Sequence, residues 1–209
     1  RSSTRPGRTA GVRSWAIVVA AGSGTRFGGP KHLVRVGGVT LLDRAVATAR
    51  DACDGVVAVV AAGSAWSSPD GVEIVEGGAT RSESVRAGLA RVPDDVDVVV
   101  VHDAARPLAS RRLFAATIAA VGAGADGAIP ALPIVDTVKR VDGGRVVETV
   151  PRDDLVVVQT PQAFRAGILR EAHDRGASGT DDAALVEAAG GRVVIVDGEP
   201  RNVKVTRAS

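Results

Sequence analysis

The chain has 209 residues, of which 45% are hydrophobic, enough for one domain with a substantial core. Aromatic residues make up only 2%, and the net charge of +2 comes from bases scattered among acids, which argues against a nucleic-acid-binding surface. The single cysteine leaves no internal disulfide, and no apolar run approaches the about 18 residues that a membrane span needs. These features predict a cytoplasmic protein without a membrane segment.

The first 14 residues differ in character from the rest. They contain several arginines, no acid and no apolar periodicity. This composition predicts a disordered basic tail, with a transit peptide as the alternative. Residues 15–209 are predicted to form a single domain.

Short runs rich in Val and Ile recur along this domain, at 15–20, 55–62, 97–102, 126–132 and 192–197. Segments with helical periodicity separate several of the runs, at 41–50, 81–92 and 111–122. Continuous apolar strands indicate a parallel sheet that is covered on both faces, and their alternation with helices indicates double winding. The predicted fold class is α/β, with a doubly wound, mostly parallel, Rossmann-like sheet.

Residues 133–164 interrupt this pattern. Polar and apolar residues alternate on both sides of a DGG sequence at 142–144, which predicts a β-hairpin. Because an alternating ribbon does not suit a doubly covered sheet, we expect it to protrude as an arm or to form a partly exposed antiparallel edge. A long exposed hairpin is marginally stable alone, so a second subunit is the natural partner.

A glycine-rich segment, AAGSGTRFGGPKH at 20–32, follows the first predicted strand. It fails the dinucleotide-binding fingerprint because Phe27 occupies the third glycine position. It fails the ATPase phosphate-loop pattern because Lys31 stands between Pro30 and His32. A glycine turn after a strand still exposes backbone N–H groups, which suit phosphates.

Charged side chains accompany this turn and another strand end. Arg26 and Lys31 add positive charge to the glycine turn, and Asp103 and Arg106 follow the 97–102 strand. An aspartate there can hold a divalent metal or orient a hydroxyl group. The alternatives are a tight turn with solvated cations and an aspartate that caps a helix.

A second glycine turn, at 77–78, opens the helix that carries Arg81 and Ser84, and Lys204 follows the last strand. Ser82 as a helix cap is the structural alternative there. The candidate site contains several cations, one or two carboxylates and no evident nucleophile. That combination is typical of phosphoryl or nucleotidyl transfer, where the protein positions reactants and neutralises charge.

Histidine chemistry is not predicted. His32, His102 and His173 show no metal-ligand spacing and no arrangement of a nucleophilic triad. We expect these side chains to be structural.

Seven motifs carry a resemblance to a known family. They are AAGSGTRFGGPKH, GGATRSESVRAGL, VHDAARP, DTVKR, PRDDLVVVQTPQAF, GTDDAALVEAAGG and NVKVTR, in this order over roughly residues 15–207. The first motif is shared by many sugar-nucleotide transferases, whereas the ordered set resembles the 2-C-methyl-D-erythritol 4-phosphate cytidylyltransferase family. The resemblance implies transfer of CMP from CTP to that substrate, with release of pyrophosphate, in the non-mevalonate isoprenoid pathway.

The resemblance also implies residue roles. The catalytic residues would be Arg26, Lys31, Arg152 and Lys204. The substrate-binding residues would be Ala20, Ala21, Gly22, Gly24, Gly77, Gly78, Arg81, Ser84, Asp103, Arg106, Thr137 and Thr160. Mg²⁺ would lie near Asp103, held mainly through the CTP phosphates. Thr137, Arg152 and Thr160 match residues of the arm, which in the family crosses a homodimer to complete the neighbour's site.

The sequence departs from the family pattern at several points. His32 stands where Gln is common, Ala79 replaces a frequent polar residue, and the loop between Arg26 and Pro30 is short. A ribitol 5-phosphate cytidylyltransferase shares most of the motifs and is the nearest alternative. A nicotinamide-dependent dehydrogenase would need the third glycine and an acid that closes the second strand, and this sequence offers neither. A non-catalytic nucleotide-binding module would not need so many cations.

Overall fold

The computed structural model describes residues 11–22, 33–176 and 179–206, which form twelve strands and five helices. The strands are β1 Ser14–Val19, β2 Arg35–Val36, β3 Val39–Thr40, β4 Gly55–Val60, β5 Val72–Glu76, β6 Val98–Asp103, β7 Gly127–Pro133, β8 Val138–Asp142, β9 Arg145–Val150, β10 Val156–Val158, β11 Gln162–Arg165 and β12 Val193–Asp197. The helices are α1 Leu41–Ala52, α2 Arg81–Leu89, α3 Arg111–Gly122, α4 Ala166–Asp174 and α5 Asp182–Ala188.

Eight of the strands form the central sheet, in the order β10, β7, β11, β6, β1, β4 and β5, with β12 on the other side of β7. The β1–β4, β1–β6, β4–β5 and β7–β12 pairs are parallel, whereas β10 and β11 run antiparallel to their neighbours. The interiors of β1, β4 and β6 are almost wholly apolar and buried, as a sheet covered on both faces requires.

Helices cover both faces of this sheet. The apolar sides of α1 and α3 share one core cluster with residues such as Ala16 and Val18. The helices α2, α4 and α5 share the other cluster, which contains Ile17. Successive β1 side chains therefore enter opposite cores, as the period of a strand dictates. The doubly wound, mostly parallel α/β fold predicted from the sequence is confirmed.

The hairpin arm is present, but it takes up only part of residues 133–164. The strands β8 and β9 form their own two-stranded sheet, and their turn uses Gly143 and Gly144 at φ angles of 53° and 81°. Such positive angles favour glycine. Only the β8–β9 part of residues 133–164 forms the arm. The strands β10 and β11 join the central sheet in antiparallel pairing, and β11 lies between β6 and β7.

No helix in the described part of the chain is long and apolar enough to cross a membrane. The predicted basic tail lies mostly outside the described residues, since the description begins at residue 11.

Packing of α2 against the sheet depends on Gly88. A Cβ atom added there would lie 2.5 Å from Ile17 Cγ2, so the backbone approaches β1 closely. We expect Gly88→Ala to lower the free energy of unfolding by about 2 kcal/mol through overpacking. Gly167→Ala is the matched control, because its Cβ would meet nothing within 4 Å in helix α4. Urea unfolding measures both, and equal stabilities of the two variants would contradict the close approach.

Candidate active site

A cleft of about 500 Å³ lies at the carboxyl ends of β1 and β6. Those ends are adjacent because Val19 pairs with Asp103 in the parallel register. Ligands of open α/β sheets bind at this edge. The described residues that line the cleft come from four segments: Val19, Ala20, Ala21, Gly22, Gly78, Ala79, Thr80, Arg81, Ser84, Asp103, Ala104, Ala105 and Lys204.

The first wall of the cleft is the turn after β1. The backbone N–H of Ala20 donates to the Val59 carbonyl at 2.7 Å, which holds the turn to the end of β4. Ala20, Ala21 and Gly22 then line the cleft, and their role in substrate binding stays a prediction. Gly24, Arg26 and Lys31 lie outside the described residues, so their predicted roles stay predictions.

The second wall is the glycine turn before α2. A Cβ atom at Gly77 would lie 2.3 Å from Ala21 Cβ and 2.6 Å from Ser84 Oγ, so only glycine permits this close contact between the two turns. Thr80, rather than Ser82, caps α2, and its side chain forms a capping box with Glu83. The two backbone turns thus meet beside the helix and form a slot at one side of the cleft.

Asp103 is the carboxylate of the cleft. Lys204 Nζ lies 2.6 Å from Oδ2, and Arg81 Nε lies 3.4 Å from Oδ1. Burial opposes ionisation of Asp103, but the charges of Arg81 and Lys204 outweigh it and hold its pKa at about 2. The carboxylate is therefore ionised at neutral pH and lies between two cations.

Lys204 reaches this site because the chain after β12 returns to it. The N–H of Val205 donates to the Ala105 carbonyl at 2.8 Å, which brings this segment beside the loop that follows β6. The Lys204 side chain is 42% exposed and flexible. Its ammonium group can therefore turn from Asp103 to a bound anion without any change in the packing of the core. The structure thus brings together Arg81, Ser84, Asp103 and Lys204 from the predicted set.

Arg81 has a second carboxylate partner that the sequence did not indicate. Its Nη1 lies 2.8 Å from Oδ2 of Asp182, which is fully buried at the start of α5. Asp182 Oδ1 in turn lies 3.0 Å from His173 Nε2, and His173 is also buried. Burial would lower the pKa of Arg81, but the charges of Asp182 and Asp103 raise it.

Arg106 and Thr160 support the cleft rather than line it. Arg106 Nη1 donates to the Asn202 carbonyl at 2.8 Å and Nη2 donates to the Val158 carbonyl at 3.2 Å. The hydroxyl oxygen of Thr160 accepts from the backbone N–H of Asp103 at 3.1 Å. The Arg106 side chain therefore connects the segment before Lys204 and β10 to the loop after β6. Thr160 holds the backbone of Asp103 in place.

His102 completes this support as a neutral, fully buried side chain. Its Nε2 lies 3.2 Å from the Arg106 carbonyl oxygen and its Nδ1 lies 3.1 Å from Thr160 Oγ1. The carbonyl can only accept, so Nε2 carries the proton and Nδ1 accepts from the hydroxyl. Burial lowers the His102 pKa to about 4, and the structural role predicted for this histidine agrees with its contacts.

A pH dependence of stability follows from His102. Its pKa is about 4 in the folded chain against a usual value of 6.5, so its stabilising effect is complete above pH 6.5 and is lost as the pH falls towards 4. Between about pH 7 and about pH 5 this group alone is expected to cost about 2 kcal/mol of unfolding free energy. Urea unfolding of wild type and His102→Gln at both pH values tests this, since the variant lacks this contribution. Equal pH dependence in the two proteins would contradict it.

The arm residues do not reach the cleft of their own chain. Thr137 and Arg152 are exposed, neither lines the cleft, and Arg152 Nη1 donates to the Val135 carbonyl at the base of the arm. Exposed valines line the arm itself, among them Val141 and Val146. Within one chain, Thr137 and Arg152 therefore do not reach the part of the cleft that the structure describes.

In the described part of the chain, no three His, Cys, Asp or Glu residues cluster as a metal site. Asp103 is the carboxylate that faces the cleft, and Mg²⁺ commonly uses one or two carboxylates together with substrate phosphates. The donor set thus fits Mg²⁺ only in company with a bound phosphate group.

The fold and the cleft define an α/β nucleotidyltransferase: two backbone turns form a slot, and cations surround one ionised aspartate. The chain belongs to the IspD family, described as 2-C-methyl-D-erythritol 4-phosphate cytidylyltransferase, which it matches over residues 14–209. The enzyme class and the family predicted from the sequence are confirmed.

Individual relatives agree with this assignment. The chain is 47% identical to the 2-C-methyl-D-erythritol 4-phosphate cytidylyltransferase of Frankia casuarinae, over 95% of this chain and 78% of the relative. It is 48% identical to the bifunctional enzyme IspD/IspF of Clavibacter michiganensis, over 98% of this chain but only 54% of that protein. The chain thus spans about half the length of the bifunctional relative.

The fold is shared with solved structures. The 2-C-methyl-D-erythritol 4-phosphate cytidylyltransferase of Thermus thermophilus superimposes with a TM-score of 0.80 at 36% identity, over 91% of each chain. The Campylobacter jejuni bifunctional IspDF gives 0.79 at 29% identity, over 93% of this chain and 52% of that one. These similarities favour the family over the dehydrogenase interpretation.

Proposed function

We propose that this chain transfers the CMP group of CTP to the 4-phosphate of 2-C-methyl-D-erythritol 4-phosphate. A phosphate oxygen of the acceptor attacks the α-phosphorus, the bond to the bridging oxygen of the β-phosphate breaks, and pyrophosphate leaves. The observation that carries the proposal is the ionised Asp103 between Lys204 and Arg81, at the mouth of a backbone-walled slot. The slot suits a flat base, and the cations suit phosphates.

The side chains act by charge and position. Negative charge develops on the transferring phosphate and on the leaving pyrophosphate, and fixed cations stabilise it in the transition state. Among the cations that line the described part of the cleft, Lys204 has the exposed side chain that this stabilising role needs. Arg26 and Lys31, on the glycine turn outside the described residues, are proposed to hold the triphosphate.

Base selection is assigned to the backbone of the slot. Gly77 lies against Ala21 and Ser84, so the two turns are in direct contact and backbone forms the wall of the cleft. A wall of backbone can reject a purine by shape, and its carbonyl groups can accept from the amino group of cytosine. Ser84 donates its own hydroxyl to the Thr80 carbonyl at 2.9 Å, which leaves its oxygen as an acceptor.

Asp103 is the residue proposed to hold Mg²⁺ together with the CTP phosphates. The metal, when bound, supplies positive charge that neutralises the phosphate oxygens. Lys204 contacts Oδ2 of the same carboxylate, and its exposed ammonium group would also be within reach of phosphates bound there.

A homodimer is proposed to complete the acceptor site. The arm exposes Val141 and Val146 at 61% and 62%, which a partner surface would cover. Thr137 and Arg152 would then meet the acceptor phosphate in the neighbour's cleft. A cytoplasmic location also remains a prediction from composition.

The test is pyrophosphate release from CTP and Mg²⁺ with one of three additions: methylerythritol 4-phosphate, ribitol 5-phosphate or no acceptor. We expect release only with the first. Release only with ribitol 5-phosphate would transfer the proposal to that acceptor, and release with neither would sink it. ATP, GTP and UTP in place of CTP test the base slot, and equal turnover with a purine nucleotide would contradict its role.

A further inference from the structure

Asp182 and His173 form a buried pair behind the cleft wall. Asp182 is 0% exposed and His173 is 1% exposed, yet both carry groups that normally seek water. Burying a carboxylate costs several kcal/mol unless it is paired. Its partners here are Arg81 at 2.8 Å and His173 at 3.0 Å. The question is why this part of the core contains a charge.

Capping of α5 does not explain Asp182. Asp181 already caps that helix by accepting from the N–H of Ala184 at 3.1 Å. Asp181 also accepts from Gln162 Nε2 at 2.9 Å, which ties the helix start to β11. The helix therefore does not need Asp182 as a cap, and Asp182 Oδ2 instead faces Arg81.

Arg81 lies between two carboxylates of different exposure. Asp103 faces the cleft with Arg81 Nε at 3.4 Å, whereas Asp182 holds Nη1 from the buried side at 2.8 Å. Arg81 Nη1, Arg81 Nη2 and Asp182 Oδ2 are buried and lack a partner of hydrogen-bond geometry among the described residues, so the contact between Arg81 and Asp182 is an ion pair. Without the Asp182 charge, attraction to Asp103 alone would draw the guanidinium into the cleft. There it would compete with Lys204 for the Asp103 carboxylate and with a bound nucleotide for space.

His173 fixes the carboxylate of Asp182. An ionised carboxylate can only accept, so His173 Nε2 carries a proton and donates to Oδ1. That bond leaves Oδ2 for Arg81. Asp182, His173 and Arg81 belong to α5, α4 and α2, so the contact also joins the three helices that cover this face of the sheet.

We infer that Asp182, oriented by His173, is a positioning residue that holds Arg81 at the wall of the nucleotide cleft and so leaves Asp103 free to exchange its partners. The inference rests on the proposed function, because it takes CTP as the ligand of the cleft. Asp182 touches no substrate and acts through Arg81.

The test compares Asp182→Asn with Asp181→Asn. Both remove one carboxylate charge at the start of α5, but only the first contacts Arg81. We expect Asp182→Asn to raise the KM and the Kd for CTP about tenfold, with kcat within about threefold, because the loss is in nucleotide binding. Asp181→Asn is expected to stay within about twofold of wild type in all three constants. A folded Asp182→Asn enzyme with the KM of Asp181→Asn would overturn the inference.

A second pair of variants covers the case in which Asp182→Asn fails to fold. His173→Gln keeps a donor near Nε2, whereas His173→Leu removes it at similar volume. We expect the Kd for CTP to be near wild type in the first and about threefold higher in the second, at matched thermal stability. Equal Kd values in the two variants would overturn the inference, since a purely structural role changes Tm and not the affinity.

The outcomes for the inference and for the proposed function are separable. Isothermal titration with CTP and Mg²⁺ alone requires no acceptor. If wild type binds CTP but releases no pyrophosphate with methylerythritol 4-phosphate, the proposed function fails and the Kd comparison still decides the role of Asp182.

Discussion

Replacing Lys204 by alanine is expected to lower turnover by about 100- to 1,000-fold, the usual effect of removing one preorganised group that stabilises developing charge. The Lys204 ammonium lies 2.6 Å from Asp103, and its side chain is both exposed and part of the lining of the cleft. Because the charge on the phosphates grows towards the transition state, kcat should fall more than CTP affinity. Steady-state pyrophosphate release and titration with CTP measure the two effects.

Arg201→Ala is the matched control for Lys204→Ala. Arg201 is an exposed cation three residues earlier in the same segment, and it does not line the cleft. We expect its turnover to stay within about twofold of wild type, because exposed charges contribute little at this distance in salt. A Lys204→Ala enzyme within about threefold of wild-type turnover would remove Lys204 from the mechanism.

Mixing two inactive variants is expected to restore about a quarter of wild-type activity. In Arg152→Ala the cleft is intact and the arm is defective, whereas in Lys204→Ala the reverse holds. If the arm of each subunit serves its neighbour, a mixed dimer contains one site with an intact cleft and an intact arm. Random pairing makes about half of the dimers mixed, with one active site in two. The two variants are co-refolded or co-expressed with different tags. The mixture should show about a quarter of wild-type activity, and the mixed dimer, isolated by its two tags, about half.

The control for this experiment mixes Arg152→Ala with Arg152→Ala carrying the second tag. That mixture has no intact arm and should stay inactive. Proven mixed dimers without recovered activity would contradict the sharing of sites between subunits, and so would a protein that remains monomeric at the assay concentration. The structure makes the result informative because Arg152 contacts the Val135 carbonyl and not the cleft of its own chain.

Much of the fold could be predicted from sequence because apolar runs are local signals. The helix predicted at 111–122 is observed as Arg111–Gly122, and the strand predicted at 97–102 is observed one residue later. The strand β5 was missed since its residues VEIVE alternate and remain largely exposed at the edge of the sheet. Position in a sheet is non-local, and for that reason the alternating stretch was predicted as an arm or an exposed edge although β11 lies at the centre of the sheet.

The candidate site, like the fold, could be predicted only where its signals are local. Backbone turns and cations at strand ends are visible in sequence, so Ala20, Gly78 and Lys204 were expected where the structure has them. The Asp182–His173 pair was not expected, because it joins two helices that no local pattern connects. A signal existed: two aspartates stand at the helix start, and one suffices for the cap.

The central place of β11 bears on how the chain folds as it is synthesised. Strands β1, β4, β5 and β6 can pair with one another once residue 103 has emerged, since all their mutual contacts lie within that length. The strand β7 has no partner among them, and its partners β10, β11 and β12 all follow it. The exposed edge of β6 therefore waits for the whole arm to be made before β11 covers it. Nascent chains that pause within the arm present that apolar edge to solvent, and we expect such pauses to favour aggregation.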